Sequence, residues 1–102
     1  MSPDSGYEAD ADRFVDEASS TSFSHKTRKE TKLWFFRLKK DLSERYDTDI
    51  ESRSDTDYVV SLTAEDSGTK AEYVVDRRGG DVEVNVHVVS DGERVTHEVW
   101  EE

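Results

Sequence analysis

A chain of 102 residues is long enough for one modest hydrophobic core and too short for two. It carries 25 acidic against 14 basic side chains, a net charge of -11, and its Val, Ile, Leu and Phe number only 21, close to the one-fifth level below which highly charged chains stay unfolded. The absence of cysteine excludes disulfides, thiolate metal sites and cysteine nucleophiles, and no apolar run approaches the length of a membrane span.

The N-terminal "MSPDSGYEADADRF" has neither a basic nor an apolar leader region, so the expectation is a soluble, cytoplasmic protein. Within it "SGYE" has the form of a capping box, in which Ser5 accepts from the Glu8 amide and Glu8 reaches back to the Ser5 amide. A helix over about 6–18 follows. Tyr7, Ala11, Phe14, Val15 and Ala18 recur at the spacing of one helical face, and Asp10, Asp12, Asp16 and Glu17 take the rest. "SSTSFS", residues 19–24, is rich in hydroxyls that compete with the helical backbone and reads as a linker.

The second helix is expected over about 25–46, with a further capping box from Thr27 to Glu30. It contains "KTRKETKLWFFRLKK", which holds five of the six lysines and three adjacent aromatics. At 100° per residue Thr31, Phe35, Leu38, Leu42 and Tyr46 share one side with Trp34, and this is the stripe that should cover a sheet. Leu33 and Phe36 lie on the other side, framed by Lys29, Lys32 and Lys40 and flanked by Lys26 and Arg37.

After residue 47 the period changes from 3.6 to 2. Four β-branched runs, at about 58–64, 70–77, 81–89 and 94–100, are separated by "EDSG", "GG" and "DG", residues that supply the positive φ of tight hairpins. "DIESR", at 49–53, is at most an extra short strand, because its single Ile gives little pull. Two-residue loops at Gly79-Gly80 and Asp91-Gly92 pair Val75 with Val84, Tyr73 with Val86 and Ala71 with Val88. They also pair Val88 with Val95, Val86 with His97 and Val84 with Val99, gathering the apolar set on one face. The expected fold is α+β: two N-terminal helices packed with a four-stranded antiparallel meander. Residues 1–102 form a single domain, with 24–102 as its core and 1–22 as an acidic helix and linker that docks loosely.

Asp outnumbers Glu, Ser and Thr are abundant, lysine is confined to one segment and valine supplies most of the apolar content. In this the chain resembles the cytoplasmic proteins of haloarchaea, which the resemblance implies stay soluble in molar salt by carrying dense carboxylate surfaces. The order of one long helix before an antiparallel meander is also similar to rolls of the cystatin type, a likeness of architecture only.

Three coverings compete for Leu33 and Phe36. The first helix can fold back onto them, matching its carboxylates to the lysines. The same contact can be exchanged between chains, or two such faces can pair in a homodimer. Nucleic acid is the third: segment 26–45 holds eight cationic and three anionic residues, an excess of +5 against -16 for the remainder, and Lys26, Arg28, Lys29, Lys32, Lys39 and Lys40 would meet the phosphates.

On the outward sheet face the expected rows are Glu72, His87 and Thr96, then Val74, Asn85 and Glu98, then Asp76, Glu83 and Trp100. Trp100 is there a candidate dimer anchor, His87 beside Glu72 a weak acid/base or metal pair, and His97 an inward core residue beside Val86. The triplets at Asp47 to Asp49 and Asp55 to Asp57 are weak candidates for a Mg²⁺ or Ca²⁺ site, lacking the spacing of a calcium loop. No nucleophile beside a base, no phosphate-binding glycine loop and no dinucleotide fingerprint is present, so the expectation is a non-catalytic interaction module without a cofactor.

Overall fold

The computed structural model describes residues 5–53 and 57–101, the side chains of residues 5, 6 and 95–98 apart. Helix α1 (Ser5–Ser19) leads through a 3₁₀ turn, Phe23–His25, into helix α2 (Arg28–Leu42). Five strands follow, β1 (Asp47–Arg53), β2 (Tyr58–Asp66), β3 (Thr69–Arg78), β4 (Asp81–Ser90) and β5 (Glu93–Glu101), paired antiparallel in sequence order. The expected α+β architecture is therefore present, with one strand more than the four read from the sequence.

Helix α2 is shorter than the expected 25–46 because both of its ends are capped. Thr27 Oγ1 accepts from the Glu30 amide at 3.2 Å while the Thr27 amide donates to Glu30 Oε1 at 3.0 Å, the reciprocal box that fixes Arg28 as the first helical residue. At the other end the Arg45 and Tyr46 amides both donate to the Leu42 carbonyl, at 3.0 and 2.8 Å, closing a turn before β1. The Ser5 half of the first box lies outside the described side chains.

Strand β1 is the addition. Its Ile50 pairs with Leu62 and packs against the core, and its remaining positions are polar, alternating between exposed and half-buried. What holds it is backbone: without β1 the edge of β2 would leave a row of amides and carbonyls unpaired beside the core. Carboxylates at Asp47, Asp49 and Glu51 then blunt the new edge against further pairing.

The β3–β4 register is as expected, with Ala71 opposite Val88, Tyr73 opposite Val86 and Val75 opposite Val84 around Gly79 and Gly80, whose φ values are +58° and +94°. The β4–β5 register is not. Ser90 pairs with Glu93 across the Asp91-Gly92 turn and Val89 with Arg94, but the next pair is Val88 with Thr96, so a bulge takes up Val95. Beyond it Val86 faces Glu98, Asn85 faces Val99 and Val84 faces Trp100. The one-residue shift exchanges the faces: Trp100 packs against the core and Val99 stands outward, 47% exposed.

One helix about 10 Å wide cannot cover five strands spaced about 4.8 Å apart. Helix α2 lies over β1 and β2, and α1 lies over β4. Tyr7, Ala11, Phe14 and Ala18 of α1 join Phe35, Leu38 and Leu42 of α2 and the inward valines of the sheet in a single buried cluster. The Phe14 ring lies 4.7 Å from Tyr73, 5.5 Å from Trp34 and 6.0 Å from Phe35. So α1 is not a loose flap over Leu33 and Phe36. Its aromatic stripe finds far more apolar surface on the uncovered half of the sheet than a two-residue patch offers.

Candidate interaction site

The two helices run antiparallel, side by side, as three cross-links show. Tyr7 stacks on Tyr46 at 4.1 Å, Arg45 Nη2 reaches Asp10 Oδ1 at 2.7 Å, and Arg13 Nη2 reaches Asp41 Oδ2 at 2.5 Å. The Tyr46 hydroxyl also donates to Asp10, at 2.9 Å. Hydrogen bonding to the facing carboxylates holds the Arg13 and Arg45 guanidiniums still more firmly in the charged state. The N-terminus of α2 is tied to the sheet separately. Thr31 Oγ1 lies 3.0 Å from the buried Tyr58 hydroxyl, which donates to the Phe23 carbonyl at 3.0 Å. Arg77 Nη1 donates to the Lys26 carbonyl at 3.0 Å.

This arrangement turns one side of α2 outward. Lys29, Leu33, Phe36 and Lys40 fall along the line opposite its buried stripe, at the i, i+4, i+7, i+11 spacing of a helical row. Leu33 is 54% and Phe36 44% exposed, while Phe35 and Leu42, on the same helix, are at 0% and 1%. Lys32 bends over the Phe36 ring, its Nζ 5.8 Å from the centroid. The acidic first helix does not cover the pair, and the expected intramolecular contact is corrected to an open surface.

Beside this row runs the solvent side of α1, where Asp12 and Asp16 are exposed and four residues apart. Between the helices lies a groove of about 170 Å³ lined by Arg13, Glu17, Trp34, Arg37, Leu38 and Asp41. The outer surface of the helix layer therefore has two strips, one acidic and one basic with an apolar centre. Of the residues proposed for phosphate contact, Arg28, Lys29 and Lys40 are exposed and Lys26, Lys32 and Lys39 are half-buried.

The outward sheet face keeps Glu72 opposite His87, but the shifted register sets His97, not Thr96, on the far side of His87. His97 is thus not paired with Val86, and its side chain is outside those described. The other expected rows become Val74, Asn85 and Val99, and Asp76, Glu83 and Glu101. Arg78 Nε contacts Asp76 at 3.2 Å and relieves the like-charge pair with Glu83. Trp100 is lost as an outward anchor, and Val99, which the sequence reading had placed inward, takes its place. The signal that could have found it is the ambiguous alternation of "RVTHEVW", where either Val99 or Trp100 fits an inward position.

The acidic triplets are not brought together. Asp47 and Asp49 begin β1, whereas Asp57, which accepts from the Gly79 amide, lies past the far end of the β1–β2 hairpin, about 20 Å away at 3.3 Å per residue. Asp55 lies outside the described residues, and among those described no group of three metal-ligating side chains occurs. No helix is long and apolar enough to cross a membrane.

No protein-family model, no curated protein and no solved structure matches the chain. What fold and surface define is a two-layer α+β protein with a helical hairpin on one face of an antiparallel sheet and an apolar pair exposed among lysines.

Proposed function

We propose that this chain is a halophilic, non-catalytic interaction module that self-associates through the Leu33 and Phe36 face of α2. The observation that carries the reading is the exposure of these two side chains, 54% and 44%, on a helix whose other face is sealed into the core. Single exposed apolar side chains are ordinary, but a leucine and a phenylalanine adjacent on one helical row form a patch that a partner can cover. Leu33 and Phe36 are two of the three large apolar side chains exposed among the described residues, and Val99 on the sheet is the third.

Light scattering in about 2 M KCl tests it. The protein is expected to show a concentration-dependent dimer, and Leu33→Asp/Phe36→Asp to give a monomer with an unchanged far-ultraviolet spectrum. A wild-type chain that stays monomeric up to about 1 mM, which corresponds to under about 4 kcal/mol of association, overturns the self-association.

The halophilic part rests on the charge of -11 and has its own measurement. At about 0.05 M salt the carboxylates repel across the surface, whereas near 1 M the Debye length is about 3 Å and the repulsion is screened. The thermal midpoint is expected to rise by about 10 °C or more between 0.05 and 2 M KCl, the equivalent of roughly 2 kcal/mol for a domain of this size. A midpoint independent of salt removes this part of the proposal.

A further inference from the structure

From the two strips of the helix layer we infer that the partner is a second copy of this chain, docked about a two-fold axis that runs along and between α1 and α2. This rests on the self-association reading above and adds its geometry. Two isologous face-to-face arrangements of a helical hairpin exist. With the axis along the helices, α1 of each copy lies over α2 of the other. With the axis across them, α2 lies on α2 and α1 on α1.

Both arrangements remove the Leu33 and Phe36 patch from water, the crosswise one against the same patch of the second copy and the lengthwise one against α1. Charge decides between them. Helix α2 carries Lys29, Arg37 and Lys40 on its exposed side, and α1 carries Asp12 and Asp16. The crosswise axis sets lysine on lysine and aspartate on aspartate. The lengthwise axis sets acid on base twice, once in each half of the interface.

The level of the contact follows from the hairpin. Arg13 is level with Asp41 and Asp10 with Arg45, so Asp12 and Asp16 are level with the segment of α2 that holds Arg37 and Lys40. A rotation about the lengthwise axis keeps that level and carries Asp12 and Asp16 of one copy across to Arg37 and Lys40 of the other. The last turn of α1 then covers Phe36, and residues 20–22 just beyond it lie level with Leu33.

The surface sets the strength. Two helices of 15 residues span about 22 Å and pack about 10 Å apart, giving a face of about 22 by 20 Å. That is roughly half of the 800 Å² per partner of a standard interface, so the dimer dissociates and is seen by its concentration dependence.

Charge reversal reads the geometry. Arg37→Glu/Lys40→Glu makes both strips acidic, and Asp12→Lys/Asp16→Lys makes both basic. Each variant alone is expected to dimerise about 10-fold or more weakly than wild type, and an equimolar mixture of the two to recover the wild-type affinity, because each half of the mixed interface again sets acid on base. The four-fold exchange on one chain is likewise expected to dimerise, which guards against a double variant that folds poorly. Sedimentation at about 0.2 M KCl supplies the affinities, and at about 2 M the difference between the charge variants is expected to shrink as the salt screens the exposed charges.

An Asp12→Lys/Asp16→Lys dimer as tight as wild type, alongside loss of association in Leu33→Asp/Phe36→Asp, overturns the lengthwise axis while leaving self-association through α2 standing. Species that grow beyond a dimer with concentration overturn it as well, since they indicate a head-to-tail contact, such as α2 on the outer sheet face with Val59, Val74 and Val99. A wild-type monomer overturns the parent reading instead.

Discussion

Phe14→Ala is expected to destabilise the protein by about 3–5 kcal/mol, the range for removing a fully buried aromatic ring. Phe14 is 0% exposed and touches three aromatic rings, one each from the sheet and from two consecutive positions of α2. It is thus the point at which α1, α2 and β3 meet. A domain of this size commands about 5–15 kcal/mol in all, so the variant should be left with about 0–2 kcal/mol wherever the wild type is near the lower bound, as in dilute buffer. Phe36→Ala removes the same atoms from a side chain 44% exposed, and its expected effect on the monomer is within about 0.5 kcal/mol. Urea unfolding of both variants at a concentration below dimer formation makes the comparison. A Phe14→Ala effect under about 1 kcal/mol would mean that α1 is not seated in the core.

How much of this was legible depended on where the information lies. The helix stripe Thr31, Phe35, Leu38 and Leu42 was readable because side-chain period and burial coincide. The β3–β4 register was readable because Gly79-Gly80 fixes the loop and a slip would turn Val82, Val84, Val86 and Val88 out of the core. Strand β1 was legible only as a short extra strand at 49–53, since its role is to pair the backbone of β2, a demand that leaves almost no mark on side chains beyond Ile50.

The bulge at Val95 was hidden because valine and tryptophan both suit an inward position, and the bulge sets Trp100 rather than Val99 opposite Val84. Matching charge made α1 one of three coverings for Leu33 and Phe36, whereas its aromatic stripe is seated over β4, on the half of the sheet that α2 leaves open. The exposed pair itself was visible from helical angle alone.

Raising the pH should unfold the protein at the phenols. Tyr7, Tyr46 and Tyr73 all titrate above the ordinary phenol value of 10.0, and burial is the leading cause in each. The nearby charge of Asp66 adds to the effect at Tyr7, and that of Asp10 at Tyr73. Folded, these groups keep their protons to higher pH than they do unfolded. Their contribution is therefore complete below pH 10 and falls above it, as the unfolded chain releases protons that the folded chain retains, by up to about 1.4 kcal/mol per pH unit for each phenol. The losses at the three phenols add, and they are expected to unfold a domain whose stability is only about 5–15 kcal/mol.

Tyrosinate absorbance and far-ultraviolet circular dichroism are expected to change together in one cooperative step above pH 10. A smooth, non-cooperative titration at the ordinary value, with the fold intact, would show the phenols to be in contact with water. The hydroxyls of Tyr7 and Tyr73 have no hydrogen-bond partner among the described residues, whereas that of Tyr46 donates to Asp10. Removing a buried hydroxyl that bonds to nothing relieves a desolvation penalty, and removing one that bonds a carboxylate strands the acceptor. Tyr73→Phe should thus be neutral or stabilising by about 1 kcal/mol at pH 7 and move the alkaline midpoint upward. Tyr46→Phe should also move it upward, but from a starting stability lower by about 1–2 kcal/mol. If Tyr73→Phe instead costs as much as Tyr46→Phe at pH 7, its hydroxyl is bonded in solution and the alkaline step must be assigned to Tyr7 and Tyr46.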